Sequence, residues 1–329
     1  MTKKSFAFFG LRVAAIALSV SAGASAVCAA DVYPSKSVKI VVPYAPGGAV
    51  DQVTRRVAQK LTEQTGQSFY VDNKPGGTST IGVSLVARSA ADGYSLVAND
   101  LTYSILPHVF HKLAWDYEKD LIAVAAFNFA PVAIAVAADS KFRTLSELVA
   151  YAKANPGKLN YGTGGAGTMP HFGTEALKKA AGFDATHVPF KGNGEATMAV
   201  LSKQIDFQLA STAGVIGQVK GGKLRLLAVT GNARLKALPD VPTFAEAGVK
   251  NYGVVNFTGL WLPKGTPPAI VTKLQNDISI AMASKEIKDF ADSIGAVPDV
   301  VTGEGFSKLL RENSLLWGQV AESAKIDRQ

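Results

Sequence analysis

The sequence predicts an α/β protein with two lobes facing each other across a small-molecule cleft. Three observations predict it. Short β-branched strands alternate with amphipathic helical stretches, the pattern of mostly parallel, doubly wound sheets. A glycine cluster between a strand end and a helix start recurs along the chain, and such sheets hold ligands beyond the carboxyl ends of their strands. Behind a leader, the 329-residue sequence leaves a length that suits two lobes of ordinary size.

Residues 1–30 read as a Sec-type signal peptide. Lys3, Lys4 and Arg12 give a basic start, residues 13–20 a short apolar run, and Ser25-Ala26-Val27-Cys28-Ala29-Ala30 the small residues for cleavage after Ala30. The rival is a lipid anchor on Cys28, which would want a small residue where Val27 stands. Cys28 is the single cysteine, so the mature chain has no disulfide, thiol chemistry or zinc–cysteine site. Losing three basic residues lowers the formal charge from +8 to +5. The remaining Lys and Arg are scattered without aromatic interleaving, which excludes a nucleic-acid footprint. No later stretch is long and apolar enough to span a bilayer. The product is expected to be exported and periplasmic, with no direct membrane insertion after cleavage.

The first strand runs through Val38, Ile40, Val41 and Val42, and Pro43-Tyr44-Ala45-Pro46-Gly47-Gly48 stops it. A helix follows through Val53, Val57 and Leu61, with Asp51 in its first turn. A strand, a glycine turn and a helix start gather free backbone N–H groups at one point, which favours a carboxylate or phosphate. The plan repeats: a strand at residues 68–73, then Lys74-Pro75-Gly76-Gly77-Thr78-Ser79-Thr80, then a helix over 81–90. A third strand, 94–98, ends in Asn99-Asp100-Leu101-Thr102. The strand at 130–136 carries the chain into the second lobe. Thr144 and Glu147 open the next helix in capping-box spacing. The strand at 159–162 leads to Thr163-Gly164-Gly165-Ala166-Gly167-Thr168-Met169-Pro170-His171 and a helix over 172–181, the same device in the second lobe. Strand 187–190, the turn Lys191-Gly192-Asn193-Gly194-Glu195, a helix over 196–202, and strands 205–209 and 224–230 follow. The chain returns to the first lobe near residues 257–262, and helices over 268–283 and 305–324 end it.

The glycine loops lack the G-x-x-x-x-G-K-[ST] and G-x-G-x-x-G patterns of phosphate sites. No G-x-S-x-G elbow is present, and no nucleophile–base pair supports an enzyme. His108 and His111 lack metal-site companions and read as surface or packing residues. His187 reads as structural. His171, behind a glycine loop, either bonds the loop or faces the ligand. Asp51 favours the helix dipole and is placed to bond the Gly47–Gly48 turn. Asp206 is placed to hold a neighbouring turn. Asp100, at a strand end on the cleft, either selects an ammonium or amide N–H or caps the next turn.

The stretches YPSKSVKIVVPYAPGGAVDQVTRRVAQKL, VDNKPGGTSTIG, LNYGTGGAGTMPHFGTEAL, HVPFKGNGEA, QIDFQLAST, LRLLAVTGNARLKALPDVPTFAEAG and GLWLPKGTP, in this order and spacing, resemble the substrate-binding receptors of tripartite tricarboxylate transporters, the Bug-type periplasmic proteins. The resemblance implies a two-lobed, type II-like periplasmic-binding-protein fold without cofactor or metal. It places lobe 1 at 31–131 and 253–329 and lobe 2 at 132–252. It implies a receptor that binds a small organic acid and hands it to membrane permease subunits, and a monomer is expected. The expected contacts are Ala45, Pro46, Gly47, Gly48 and Asp51, then Thr78 and Ser79, in the first lobe. In the second they are Thr163, Gly164, Gly167, Thr168 and His171, with Lys191 and Gly192 nearby. Asp100 and Thr102 complete the set. Members commonly carry small hydroxyl residues and a histidine where Asn99-Asp100-Leu101-Thr102 stands, so Asp100 raises the expectation of an acid that also bears an amine, amide or ring N–H. A ligand-sensing receptor for a kinase shares this fold and is the alternative.

Overall fold

The opening strands form as their β-branched residues require. In this computed structural model, which describes residues 33–250 and 252–329, β1 (Val38–Val42) lies parallel between β2 (Phe69–Asn73) and β3 (Ser95–Asp100). Val38, Ile40, Val41 and Val42 are fully buried, because helices cover both faces of such a sheet and alternation is lost. Helix α1 (Ala49–Thr65) buries Val50, Val53, Val57 and Leu61, one stripe at helical spacing. It ends at Gly66, whose φ of 71° and N–H bond to the Thr62 carbonyl close the last turn. Helix α2 (Thr80–Ala87) returns to β3. A 3₁₀ turn (Leu101–Ser104) and the short α3 (Leu106–Val109) follow.

Strand β4 (Leu121–Ala137) is 17 residues long and belongs to two sheets. After it come α4 (Leu145–Ala154), β5 (Asn160–Thr163), α5 (Met169–Ala181), β6 (Thr186–Pro189), α6 (Asn193–Leu201), β7 (Phe207–Ser211), α7 (Thr212–Lys220) and β8 (Leu224–Val229). The chain then runs through β9 (Val255–Pro263), α8 (Pro268–Ala283), α9 (Lys285–Ile294), β10 (Val297–Thr302) and α10 (Gly303–Ser323). The first sheet has the order β2-β1-β3-β9-β4-β10, and the second β6-β5-β7-β4-β8. The partners of β4 change between Pro131, opposite Val255, and Val132, opposite Ser211. Just before that change Asn128 takes φ 52°, and the register with β9 slips between Phe127 and Ala130.

The parallel pairing expected of strand–helix–strand units holds for β1, β2 and β3 and for β5, β6 and β7. The long strands β4 and β9 run antiparallel to their neighbours, so both sheets are mixed. Strand β4 also begins nine residues before the 130–136 pattern, since residues 121–129 carry no glycine or proline to stop it. Aromatic contacts fill the first core: Tyr103 meets Trp261 at 4.6 Å and Trp261 meets Phe306 at 5.1 Å between ring centroids. An edge-on contact of Phe172 with Trp317 at 6.2 Å joins α5 to α10. Among the described residues no helix is long and apolar enough to cross a membrane. The expected leader, residues 1–30, lies outside the described residues.

Candidate functional site

The turn after β1 is built around one carboxylate. Asp51, in the first turn of α1, accepts from the Gly47 N–H at 2.9 Å, from Asn73 Nδ2 at 2.9 Å and from Arg55 Nε at 3.0 Å. Burial works to raise its pKa, but these donors and the Arg55 charge outweigh it and hold the carboxyl below its usual range. Ala45, Pro46 and Gly47 are exposed, and Gly47 has φ 86°. Gly48 is the N-cap of α1 and has no side chain to cap it, so the helix presents its first N–H groups outward.

The next turn is strained. Gly76, Gly77, Thr78 and Ser79 take φ of 126°, 55°, 51° and 75° in succession. For Thr78 and Ser79 the left-handed conformation costs about 1 kcal/mol or more each. Thr78 Oγ1 donates to the Ala166 carbonyl at 2.9 Å, and Ser79 Oγ accepts from Asn99 Nδ2 at 3.1 Å. At the end of β3, Asp100 caps the 3₁₀ turn: its Oδ1 accepts from the Thr102 N–H at 2.9 Å. The Tyr44 hydroxyl lies 2.7 Å from Asn99 Oδ1 and 2.9 Å from Asp100 Oδ1, and burial, with the Asp100 charge, pushes its pKa well up. Asn256 Nδ2 reaches Asp100 Oδ2 at 3.4 Å. The capping alternative for Asp100 is thus met in the structure.

In the second half the Thr163–His171 turn, half-buried at Gly164, Gly165 and Ala166 and buried on either side, is held by neutral groups. Thr163 Oγ1 donates to the Gly165 carbonyl at 3.0 Å and shares a 2.7 Å hydrogen bond with His187 Nε2. Gly164 N–H donates to Asn193 Oδ1 at 2.9 Å, and Thr168 Oγ1 donates back to the Gly165 carbonyl at 2.8 Å. The Gly167 N–H donates to His171 Nδ1 at 3.1 Å, which fixes the His171 proton on Nε2. His171 stacks on His187 at 4.0 Å, with Tyr161 beyond at 5.0 Å from His187. Burial, helped by the Lys178 charge, lowers the His171 pKa to about 4. Burial and the neighbouring His171 lower that of His187 to about 3. His171 therefore bonds its loop, one of its two expected roles.

The two halves meet at these turns. Besides the Thr78–Ala166 bond, Thr102 Oγ1 accepts from the Met169 N–H, the first of α5, at 3.1 Å. A Cβ on Gly167, φ 77°, would lie 2.6 Å from Val109 Cγ1 on α3. Lys191 is exposed beside Gly192, the N-cap of α6, and its N–H donates to Glu195. Asp206 Oδ2 accepts from the Asn160 N–H at 2.8 Å, so it holds the first residue of β5 and not a turn. Among the described residues no group of three His, Cys, Asp or Glu side chains could hold a metal.

Four residues of this assembly carry no marked pattern in the sequence. Tyr44 and Asn73 are visible only as polar members of strand-end turns. Asn256 and Val109 come from distant segments, and only the fold brings them here.

Residues 53–326 match the model of the tripartite tricarboxylate transporter family receptor. Three solved structures are similar over most of their length. The periplasmic binding protein BugD is 29% identical, covering 90% of this chain and 100% of its own, with a TM-score of 0.84. R. palustris Rpa4515, solved with adipate, is 28% identical over 90% and 100%, with a TM-score of 0.86. MatC from Rhodopseudomonas palustris, solved with bound malate, is 29% identical over 88% and 99%, with a TM-score of 0.81. The fold is that of these periplasmic binding proteins. With the match spanning most of its length, the chain belongs to the tripartite tricarboxylate transporter receptor family, whose members are solute-binding receptors and not enzymes.

Proposed function

We propose that this protein binds a small organic carboxylate between its two halves in the periplasm and delivers it to the membrane subunits of a tripartite tricarboxylate-type transporter. One observation carries this reading. A hydrogen-bonded chain runs from Tyr44 in the first glycine turn through Asp100 and Thr102 to the Met169 N–H at the start of α5. It ties the turn before α1 to the first residue of α5, and the N-terminal turns of these two helices favour a carboxylate. The turns with Gly47, Gly48, Thr78 and Ser79 serve one side of the acid and those with Thr163, Gly164, Gly167 and Thr168 the other. Lys191 steers the anion by charge. The receptor acts as a monomer whose lobes, 31–131 with 253–329 and 132–252, close on the ligand.

The Asp100 carboxylate already accepts from the Thr102 N–H and from Asn256 Nδ2, with the Tyr44 hydroxyl, shared with Asn99, beside it. This favours a plain dicarboxylic acid over one bearing an amine or amide, in keeping with the adipate and malate held by two relatives. A thermal-shift screen of residues 31–329 tests it with malate, adipate, aspartate and 2-aminoadipate. Ligand at about 100 times its Kd adds roughly 2.7 kcal/mol of stability. A shift with malate or adipate alone is expected. A shift confined to the amino acids would return Asp100 to the role of ligand selector, and no shift with any acid would sink the carboxylate reading.

A further inference from the structure

The formal charge is unevenly spread. Residues 132–252 carry 14 Lys and Arg against 8 Asp and Glu, and the rest of residues 31–329 carries 17 against 18. The whole positive excess of the mature chain therefore belongs to the second half.

Topology collects that excess at one end. Strands β5, β6 and β7 run parallel, and β4 runs antiparallel to β7 and β8, with Val132 opposite Ser211 and Ala137 opposite Leu224. The starts of β5 to β8 and the end of β4 thus share one end of the second sheet, and the Thr163 turn lies at the other. Backbone bonds join the turns of this shared end. The Ala138 N–H donates to the Lys223 carbonyl at 3.0 Å, the Thr186 N–H to the Leu159 carbonyl at 2.7 Å and the Asp206 N–H to the Asn160 carbonyl at 2.9 Å.

Five exposed lysines sit on these turns and on the helix ends beside them: Lys141, Lys153, Lys158, Lys179 and Lys223. Among the described residues none of the five is in an ion pair. Lys141 Nζ lies 3.6 Å from the Tyr151 ring centroid, and a Cβ on Gly182 would lie 3.8 Å from Lys153 Nζ, so adjacent turns bring these cations side by side. The acids nearby are already engaged. Asp139 pairs with Lys203, Glu175 and Asp184 pair with Lys178, Glu147 caps α4, and Asp206 holds the Asn160 N–H. Arg143 and Arg225 line a cavity together with Asp240 and Glu246, which balance them, and the five lysines lie outside it.

We propose that this lysine-rich end binds an anionic phospholipid surface, a site separate from the glycine turns and independent of which acid they hold. Lysine ammonium groups are compact, hydrated point charges, and several of them spread over one end of a sheet match a plane of phosphates. A protein partner would want an apolar or aromatic centre, and none of the large exposed apolar side chains lies on these turns. Contact is by charge alone, so the bilayer is touched and not entered. The Thr163 turn is at the far end of the sheet, so the adsorbed protein keeps its glycine turns clear of the lipid.

The test is cosedimentation of residues 31–329 with sucrose-loaded vesicles, of phosphatidylcholine alone or with about one-third phosphatidylglycerol, at about 20 mM and about 300 mM salt. Binding is expected only to the vesicles with phosphatidylglycerol, and only at the lower salt. A variant with Lys141→Gln, Lys153→Gln, Lys158→Gln and Lys223→Gln should bind at least about a hundredfold more weakly, since each lysine near such a surface adds about fivefold. A second variant, with Lys264→Gln, Lys285→Gln, Lys308→Gln and Lys325→Gln, loses the same charge outside residues 132–252 and should bind about as well as the wild type. All eight lysines are exposed, so both variants should melt cooperatively. Equal losses in the two variants would show that net charge and not this end is what the lipid meets. No binding to the anionic vesicles at the lower salt would leave an acidic protein surface as the partner of this end. Either result, or binding that persists at about 300 mM salt, overturns the proposal.

Discussion

Gly47 and Gly167 occupy corresponding places in two strand–turn–helix units, but the turns around them are fastened by opposite means. The first is exposed and is tied by the charge of Asp51 to Gly47, Asn73 and Arg55, all within its own half. The second is largely buried and is tied by neutral partners, His171, His187 and Asn193. It also leans on the other half through Thr78, Thr102 and Val109. The difference lies in pairing. Asp51 is buried at 3% exposure and keeps its charge because Arg55, Asn73 and the Gly47 N–H all meet it, whereas the second turn is closed by neutral imidazole and amide groups that need no counter-charge. The second turn is therefore the one whose shape depends on how the two halves meet.

The sharpest way to break this comparison is to give each glycine a methyl group. Gly167→Ala combines a left-handed φ with a Cβ 2.6 Å from Val109 and should cost about 2–4 kcal/mol in urea unfolding. Gly47→Ala meets nothing within 4 Å and should cost about 1 kcal/mol, the backbone strain alone. Equal losses would mean that the buried turn is not set by its neighbours.

Asp51→Ala should cost about 2 kcal/mol, because the Gly47 N–H loses its acceptor, Asn73 loses one of two and Arg55 loses its counter-charge. Asp51→Asn should recover part of it, and a loss below about 0.5 kcal/mol would remove the carboxylate as the organising group.

Acid separates the turns further. The His171 pKa lies below its unfolded value of 6.5, at about 4. The unfolded chain binds more protons in that window, so the contribution is full above pH 6.5 and is lost as pH falls toward 4. The Asp51 pKa is lowered from 3.8, so its contribution is full above that value and is lost at lower pH still. Tm should fall in two stages on acidification, the upper one carried by His171 together with His187, whose pKa lies at about 3, and changing both histidines to Leu should flatten it. An unchanged upper stage would show that the imidazole stack does not titrate with unfolding.

The smallest effect is expected at the bridge between the halves. Thr102→Val removes the acceptor of the Met169 N–H, for a loss of about 1 kcal/mol and faster amide exchange at Met169. Unchanged exchange would mean that the halves do not meet through this bond in solution.

Much of this was legible in the residues themselves. Val38, Ile40, Val41 and Val42 form a buried strand, as β-branched residues stopped by a proline–glycine turn favour. The Thr144–Glu147 capping box forms in full. Periodicity and turn chemistry act over a few residues, so they can be read locally. The mixed sheets could not, because the direction of β9 is set by where a long connection ends. The role of Asp100 turned on Tyr44 and Asn256, one of them 156 positions away. His171 and His187 were separately visible, but their stacking brings a residue of α5 onto one of β6, which no local pattern shows.

The central claim is that one acid is held by the turns of both halves. The most direct measurement is a malate titration of the ¹⁵N-labelled mature protein followed by backbone amide shifts. Gly48 and Ala49 are expected to shift together with Ala166 and Thr168, saturating with one Kd. Shifts confined to one of these turns, or centred elsewhere in the molecule, would contradict it.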